Sequence, residues 1–365
     1  MPLLRDGQRI RDTYVVDRYL GEGAFAEVYR VEHRFLGRQA MKVFKSAGMT
    51  VDEIEETLGE AVLLSRIGHP NIVRVFDANV VETGGKTFGY FTMEYVPGGS
   101  LYQLWRSYRG RFMPVEAAVE VVKQVCAGIA VAHAEDPPIV HRDIKPQNIL
   151  VGYDGTGMRV KASDFGLAKR VNPLTMLASA AGTLSFKPPE SFENMDSCAA
   201  DVWALGTTLY LLLTDMLPHP SLNDRDISDW SRFLRPLRPA SVYNIQVDPA
   251  LDAVLARCLA REPSDRYPAA GALLQDLTRW QPRRGGKKAT GEQATTETLK
   301  DALGGQEPSQ ELSVAASVEE AIRFSKDPGK LTIAADLLEE AINKDPSLRD
   351  RYEARLKLWR RGVFM

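Results

Sequence analysis

The first hundred residues read as strands with one helix inserted. Tyr14 to Tyr19 has a strand-like composition, and Gln39-Ala-Met-Lys-Val43 alternates apolar and polar positions in a strand's period of two. Val73 to Phe76 and Tyr90 to Met93 read as two more strands, joined by a turn through Gly84-Gly85. Between them, from Thr50 to Ile67, apolar residues fall at Ile54, Leu58, Leu64 and Ile67, close to a helical period. Glu53, Glu55 and Glu56 on that segment read as a solvated face. Pro97-Gly98-Gly99 breaks regular structure and marks a boundary. Beyond it the pattern turns helical. Pro114 to Glu135 carries Val115, Val119, Val122, Val125, Ile129 and Ala132 at helical spacing, and Asp201-Val-Trp-Ala-Leu-Gly206 opens a strongly apolar helix. In between, Ile139-Val140 leads into a cluster of charged and amide residues, and Ile149-Leu-Val151 leads out. This predicts a polar loop pinned between two short buried strands, and chemistry tends to sit on such loops.

The pattern lapses from Gln281 to Gln310, a stretch rich in Gly, Lys, Thr, Gln and Glu, which predicts a flexible linker over 281–310. It resumes in 311–365. Leu331, Ala334, Ala335, Leu338, Ala341 and Ile342 share one face of a helix that Pro346 stops. Ser317-Val-Glu-Glu320 and Ser347-Leu-Arg-Asp350 have the form of capping boxes, the second with Asp at its last position. Ala334, Leu338, Ala341 and Pro346 match the second-helix spacing of a tetratricopeptide repeat, although the first-helix signature is missing. One such unit cannot bury its face alone. The expectation is a helical hairpin that packs on the rest of the chain, on a second copy, or on a protein partner.

Composition bounds the rest. The chain has 365 residues, 44% hydrophobic and 26% charged, enough for one large or two moderate domains. A net charge of -2 argues against a nucleic-acid partner bound by phosphate neutralisation. Cys126, Cys198 and Cys258 are odd in number and far apart, which fits a reducing setting better than a disulfide framework. Met1 to Arg11 is interrupted by charge at Arg5, Asp6 and Arg9, so no secretory leader is expected. The longest apolar run, near Ala204 to Leu213, is roughly half of what a membrane span needs. The expectation is a cytoplasmic protein with no membrane span.

The chemistry lies in the polar loop. It reads His141-Arg-Asp-Ile-Lys-Pro-Gln-Asn148, and Asp164-Phe-Gly166 follows. In this order and spacing the two motifs resemble the catalytic loop and metal-binding turn of protein kinases. Lys145 after the aspartate is similar to the Ser/Thr group, and the whole to the eukaryotic-like (Hanks-type) kinases of bacteria. The resemblance implies that Asp143 accepts the proton of a substrate hydroxyl and that Lys145 sits near the transferring phosphoryl group. It implies Asn148 and Asp164 as hard oxygen ligands of Mg2+, with Mn2+ as the alternative ion.

The same resemblance runs from Tyr14 to Trp280. Leu20, Gly21, Gly23 and Val28 stand where the glycine-rich loop covers ATP, with Ala26 in place of the third glycine. Lys42 stands where a lysine holds the α- and β-phosphates, and Glu60 where a glutamate pairs with that lysine. Ala40, Met93 and Leu150 would line the adenine pocket, while the backbones of Glu94 and Val96 would bond the base. Gly182-Thr183 and Pro188-Pro-Glu190 resemble the ends of the activation segment. Thr183 would contact the catalytic residues, and Arg142 would pair with a phosphate on Thr175 or Ser179. Asp201 would tie down the catalytic loop, and Arg266 would form a buried ion pair with Glu190.

The implied fold is α+β and bilobal. An antiparallel N-lobe sheet with one helix (14–93) leads through a hinge (94–99) to a mainly helical C-lobe (100–280). The implied activity is transfer of the γ-phosphoryl group of ATP to Ser or Thr hydroxyls of protein substrates. Two other readings compete. A pseudokinase scaffold working through 311–365 would commonly have lost one of Lys42, Glu60, Asp143, Asn148 or Asp164. A small-molecule kinase of the aminoglycoside or choline type usually lacks the glycine loop and the Gly-Thr…Pro-Glu segment.

Overall fold

The computed structural model describes residues 2–23, 25–48, 50–108, 112–154, 157–165, 184–193, 197–220, 230–282, 310–327 and 330–360. These group into two compact units. The first comprises 1–96, 100–150 and 160–280, and the second 97–99, 151–159 and 281–365.

The first unit opens with a six-stranded antiparallel sheet in the order β1-β2-β3-β4-β6-β5. Its strands are β1 (Arg9–Ile10), β2 (Tyr14–Glu22), β3 (Ala26–His33), β4 (Gly37–Ala47), β5 (Val75–Thr83) and β6 (Lys86–Glu94). Alternation divides the side chains between two faces. Tyr14, Val16, Tyr29, Val31, Met41, Val43 and Tyr90 form one apolar cluster. Ala26, Ala40, Phe44, Phe91 and Met93 form another, which is completed by Ile54 and Leu58 of α1 (Val51–Ile67).

Helix α1 begins at a capping box. The Thr50 amide donates to Glu53 Oε2 at 2.8 Å, and the Glu53 amide donates to Thr50 Oγ1 at 3.3 Å. Glu53 is therefore a cap, where its charge had suggested only a solvated face. The Thr-x-x-Glu spacing was the available signal.

Among the described residues, the remainder of the first unit is mainly helical. It contains α2 (Leu101–Arg106), α3 (Val115–His133), α4 (Cys198–Thr214), α5 (Pro249–Cys258) and α6 (Ala270–Arg279). Helix α4 is apolar all round and buried along almost its whole length, the mark of a central core helix. It starts at Ser197, whose hydroxyl caps the Ala200 amide, and stops at Asp215 in the left-handed conformation with φ 58°. Gly206 lets α5 approach, since a Cβ there would lie 2.5 Å from Cys258 Cβ.

One expected element is absent. Ile139 and Val140 are buried but form no strand. The Ile139 amide is used by Ala132 O at the end of α3, at 2.9 Å, so it closes the helix and not a ladder. The outgoing strand does form, as β7 (Ile149–Asp154) paired with β8 (Gly157–Ala162).

In the second unit, α7 (Gln310–Phe324) packs on α8 (Leu331–Lys344), and α8 on α9 (Arg349–Arg360). The apolar face read from sequence is buried at Leu331, Ala334, Ala335, Leu338, Ala341 and Ile342. Arg360 ties α9 to α8 through Asp336, at 2.6 Å, and Glu339. The two expected caps are displaced. Ser317 is buried within α7, which begins seven residues earlier because Val314, Val318 and Ala321 continue the inward face. Asp345 replaces Ser347 as the capping acceptor, taking the Ser347 amide at 3.0 Å and its hydroxyl at 2.6 Å. The Tyr153 ring of β7 stands edge-on to Phe324 at 6.3 Å. Gly98 is required by close approach in this unit, since a Cβ would lie 2.3 Å from Val151 O. Among the described residues, no helix is long and apolar enough to cross a membrane.

Candidate active site

The polar loop owes its shape to a residue far along the chain. Asp201, in the first turn of α4, is 1% exposed and accepts three hydrogen bonds. His141 and Arg142 donate their backbone amides at 2.7 and 2.9 Å, and His133 Nε2 lies at 3.0 Å. This grip holds Arg142 in the left-handed region at φ 69°. Burial alone would push the Asp201 carboxyl up, but the bond from His133 and the neighbouring His141 outweigh it and hold the group below the ordinary range.

A depressed carboxyl stabilises the fold above its unfolded pKa of about 3.9, and that contribution is lost as pH falls through the lower folded value. Asp201→Asn is therefore expected to cost stability near neutrality, with the gap to wild type narrowing in acid. Denaturant unfolding from about pH 6 down to about pH 2 checks this, because a gap that stays unchanged below the unfolded pKa would remove the charge from the account.

From that anchor the site builds outward. His141 Nε2 contacts Ser163 O at 3.0 Å, and its ring lies 4.3 Å from that of Phe165. The Ser163 amide and hydroxyl both donate to Asn148 O, at 2.9 and 3.0 Å. These contacts join the two motifs. Lys145 Nζ donates to both oxygens of Asp143, at 3.0 and 2.8 Å. Asn148 Nδ2 donates to Asp143 O at 2.9 Å and to Oδ2 at 2.7 Å. Asp164, at φ 67°, takes Lys42 Nζ on Oδ1 at 2.7 Å.

Above the loop, Val28, Ala40, Met93, Val96 and Leu150 come together in one apolar cluster. The Gly23 amide closes the hairpin turn on Ala26 O at 2.8 Å. The Ala26 methyl is 1% exposed, so the missing third glycine becomes a packing contact. Leu20 at the end of β2 is 38% exposed and Gly21 follows it. The Glu94 carboxylate pairs with Lys161 at 3.0 Å, a link that no sequence pattern marked. His133 was missed for the same reason, as a lone histidine at a helix end carries no signal.

Glu60 lies on α1, but its side chain is outside the described residues. Thr175, Ser179 and Thr183 also lie outside them. The Arg142 guanidinium donates to Val140 O at 3.0 Å. At the far end of the activation segment, Arg266 forks onto Glu190 at 2.5 and 2.9 Å, with its side chain fully buried.

The sequence profile of the protein kinase domain matches residues 14–277. The chain belongs to the protein kinase family. Its kinase domain is 36% identical over 269 residues to serine/threonine-protein kinase Pkn1 of Myxococcus xanthus, covering 71% of this chain and 37% of that one. It is 32% identical over 281 residues to serine/threonine-protein kinase PknB of Mycobacterium leprae, covering 74% of this chain and 43% of that one. The chain thus spans about two fifths of the length of these curated relatives. Among solved structures, the Mycobacterium tuberculosis PknI kinase domain superposes with a TM-score of 0.56 at 27% identity, covering 75% of this chain and 98% of that one.

Proposed function

We propose that the chain is an ATP-dependent serine/threonine protein kinase that uses Mg2+, with Mn2+ as an alternative. The observation that carries this reading is the joined pair of motifs. Asp143 sits among Lys145 and Asn148, and Asp164 bonds Lys42 from the opposite lobe. Phosphoryl transfer needs positioning and charge neutralisation more than covalent help, and these groups supply both. Asp143 accepts the proton of the acceptor hydroxyl, and the Lys145 ammonium beside it faces the transferred group. Lys42 holds phosphate oxygens, while Val28, Ala40, Met93 and Leu150 provide apolar walls for the base.

The donor set fits a hard divalent cation. Asn148 turns its amide nitrogen to Asp143, leaving its oxygen for a metal, and Lys42 occupies one oxygen of Asp164, leaving the other. The ion, when bound, neutralises phosphate charge. Residues 311–365 would raise the effective concentration of a partner or second copy. Autophosphorylation on Thr175 or Ser179 would give Arg142 a phosphate to pair with, ordering the activation segment.

The test is incubation of the chain with ATP and Mg2+ or Mn2+, alone and with a lysate, followed by mass-spectrometric mapping of phosphosites. Phosphoserine or phosphothreonine is expected on both. Lys42→Met and Asp164→Ala are expected to abolish it, the second with an altered dependence on metal concentration. No phosphate on any protein would reject the kinase reading. An unchanged metal dependence in Asp164→Ala would reject Asp164 as a ligand.

A further inference from the structure

Residues ahead of the matched kinase domain are built into its sheet. Leu4 and Ile10 are each 2% exposed and belong to the same apolar cluster as Tyr14, Val16, Tyr29 and Val31. Arg9 and Ile10 form β1 against β2, and the Gly7 amide and Gln8 carbonyl bond Val16 at 2.7 and 2.9 Å. Leu3 and Leu4 then cross the outer face of the sheet. The Leu3 amide donates to Glu27 Oε2 at 2.8 Å, and the Leu4 amide to the Tyr29 hydroxyl at 3.0 Å. Tyr29 donates that hydroxyl to Glu27, and Thr83 at the end of β5 donates to Leu3 O at 3.0 Å. The segment is a strap running from β3 to β5.

What the strap grips is the root of the glycine-rich hairpin. Glu27 is 7% exposed, directly precedes Val28, and pairs across the strands with Glu22 and Val43. Successive strand residues face opposite ways, so Val28 points to the apolar pocket while Glu27 and Tyr29 point to the strap. The carboxylate is thus held from behind at the position whose neighbour covers the nucleotide. A buried carboxylate that holds two donors on one oxygen restrains the backbone that carries it, since leaving it unpaired is costly.

We propose that Leu3 to Ile10 form a strap that sets the glycine-rich hairpin for nucleotide binding, and that Glu27 is the positioning residue through which it acts. The proposal rests on the nucleotide reading of the pocket. Part of the affinity for nucleotide is therefore written outside residues 14–277.

The test uses the full chain and Mg·ADP, with affinity measured by calorimetry and phosphotransfer measured at saturating ATP. Leu3→Pro removes the Leu3 amide that donates to Glu27 while keeping an apolar side chain. Glu27→Ala removes the acceptor. Each is expected to weaken Mg·ADP by about three- to tenfold, part of the worth of a charge-assisted hydrogen bond, while kcat stays within about twofold. The double variant is expected to be no weaker than the weaker single one, because both changes break the same link. Glu27→Gln, which keeps an acceptor oxygen, is expected to stay near wild type. Unchanged affinity in Leu3→Pro and Glu27→Ala, even with a lower Tm, would make the strap a stability element only and overturn the proposal. Multiplicative losses in the double variant would also overturn it. Should Glu27→Ala fail to fold, Leu3→Pro against Glu27→Gln decides alone: weakened binding in the first and not the second supports the strap, and equal binding rejects it. Failure of the wild type to bind Mg·ADP would reject the nucleotide reading, and the proposal with it.

Discussion

Asp143→Asn is expected to lower phosphotransfer by about 10²–10⁴-fold, the usual worth of a positioned general base. The amide has the shape of the carboxylate, so the loop should keep its path. Its anchors lie elsewhere, in the backbone bonds of His141 and Arg142 to Asp201. Some stability will be lost, because Lys145 and Asn148 both donate to Asp143 and an amide cannot accept on both of its atoms. The loss should be modest, about 1–3 kcal/mol, for a donor left without its acceptor. The measurements are phosphate incorporation into a model protein, Mg·ADP binding and thermal unfolding on one preparation. Transfer at the wild-type rate would remove Asp143 from the base role, whereas collapse of binding and fold together would make it a structural residue.

The second large effect is on stability. Arg266→Ala is expected to cost about 3–5 kcal/mol, the penalty of breaking a buried ion pair by removing one partner. Against a typical total of about 5–15 kcal/mol this is severe. Arg266 uses every donor of its guanidinium. Two go to Glu190, and Nε, Nη1 and Nη2 also reach Ala260 O, Ala199 O and Arg261 O at 2.7, 3.3 and 2.8 Å. The group also lies 4.8 Å from the centre of the Trp203 ring. Removing it strands Glu190, which is 7% exposed, and three backbone carbonyls. Urea unfolding compares wild type, Arg266→Ala and the pair Glu190→Leu with Arg266→Met. The apolar pair should recover much of the loss, since two buried charges are absent together. A single variant within about 1 kcal/mol of wild type would show that solvent reaches the pair.

The catalytic loop and the long helices were legible because each is local. Val115 to Ala132 repeats every three or four residues, and α3 lies where that repeat placed it. His141, Asp143, Asn148 and Asp164 sit close enough in the chain for their spacing to signal one site. The N-terminal strap was illegible for the opposite reason. Leu3, Leu4 and Ile10 are scattered among charges without a period, and the Leu3 partners lie 24 and 80 residues away. Nothing local marks such pairings. The expected strand at Ile139–Val140 failed because burial was read as strand, while the available amide had already been taken by the end of α3. Ser317 misled in a similar way: a cap signature inside an amphipathic run is overridden when the inward face continues past it.

The carboxylate that shapes the catalytic loop arrives late. Asp201 lies 60 residues after His141 and 59 after Arg142. At a synthesis rate of roughly 5–20 residues per second, the loop leaves the peptidyl-transferase centre about 3–12 s before its anchor does. During that interval the His141 and Arg142 amides lack their Asp201 acceptor. The loop is therefore made before it can be shaped, and it takes its folded path only once α4 has emerged and docked.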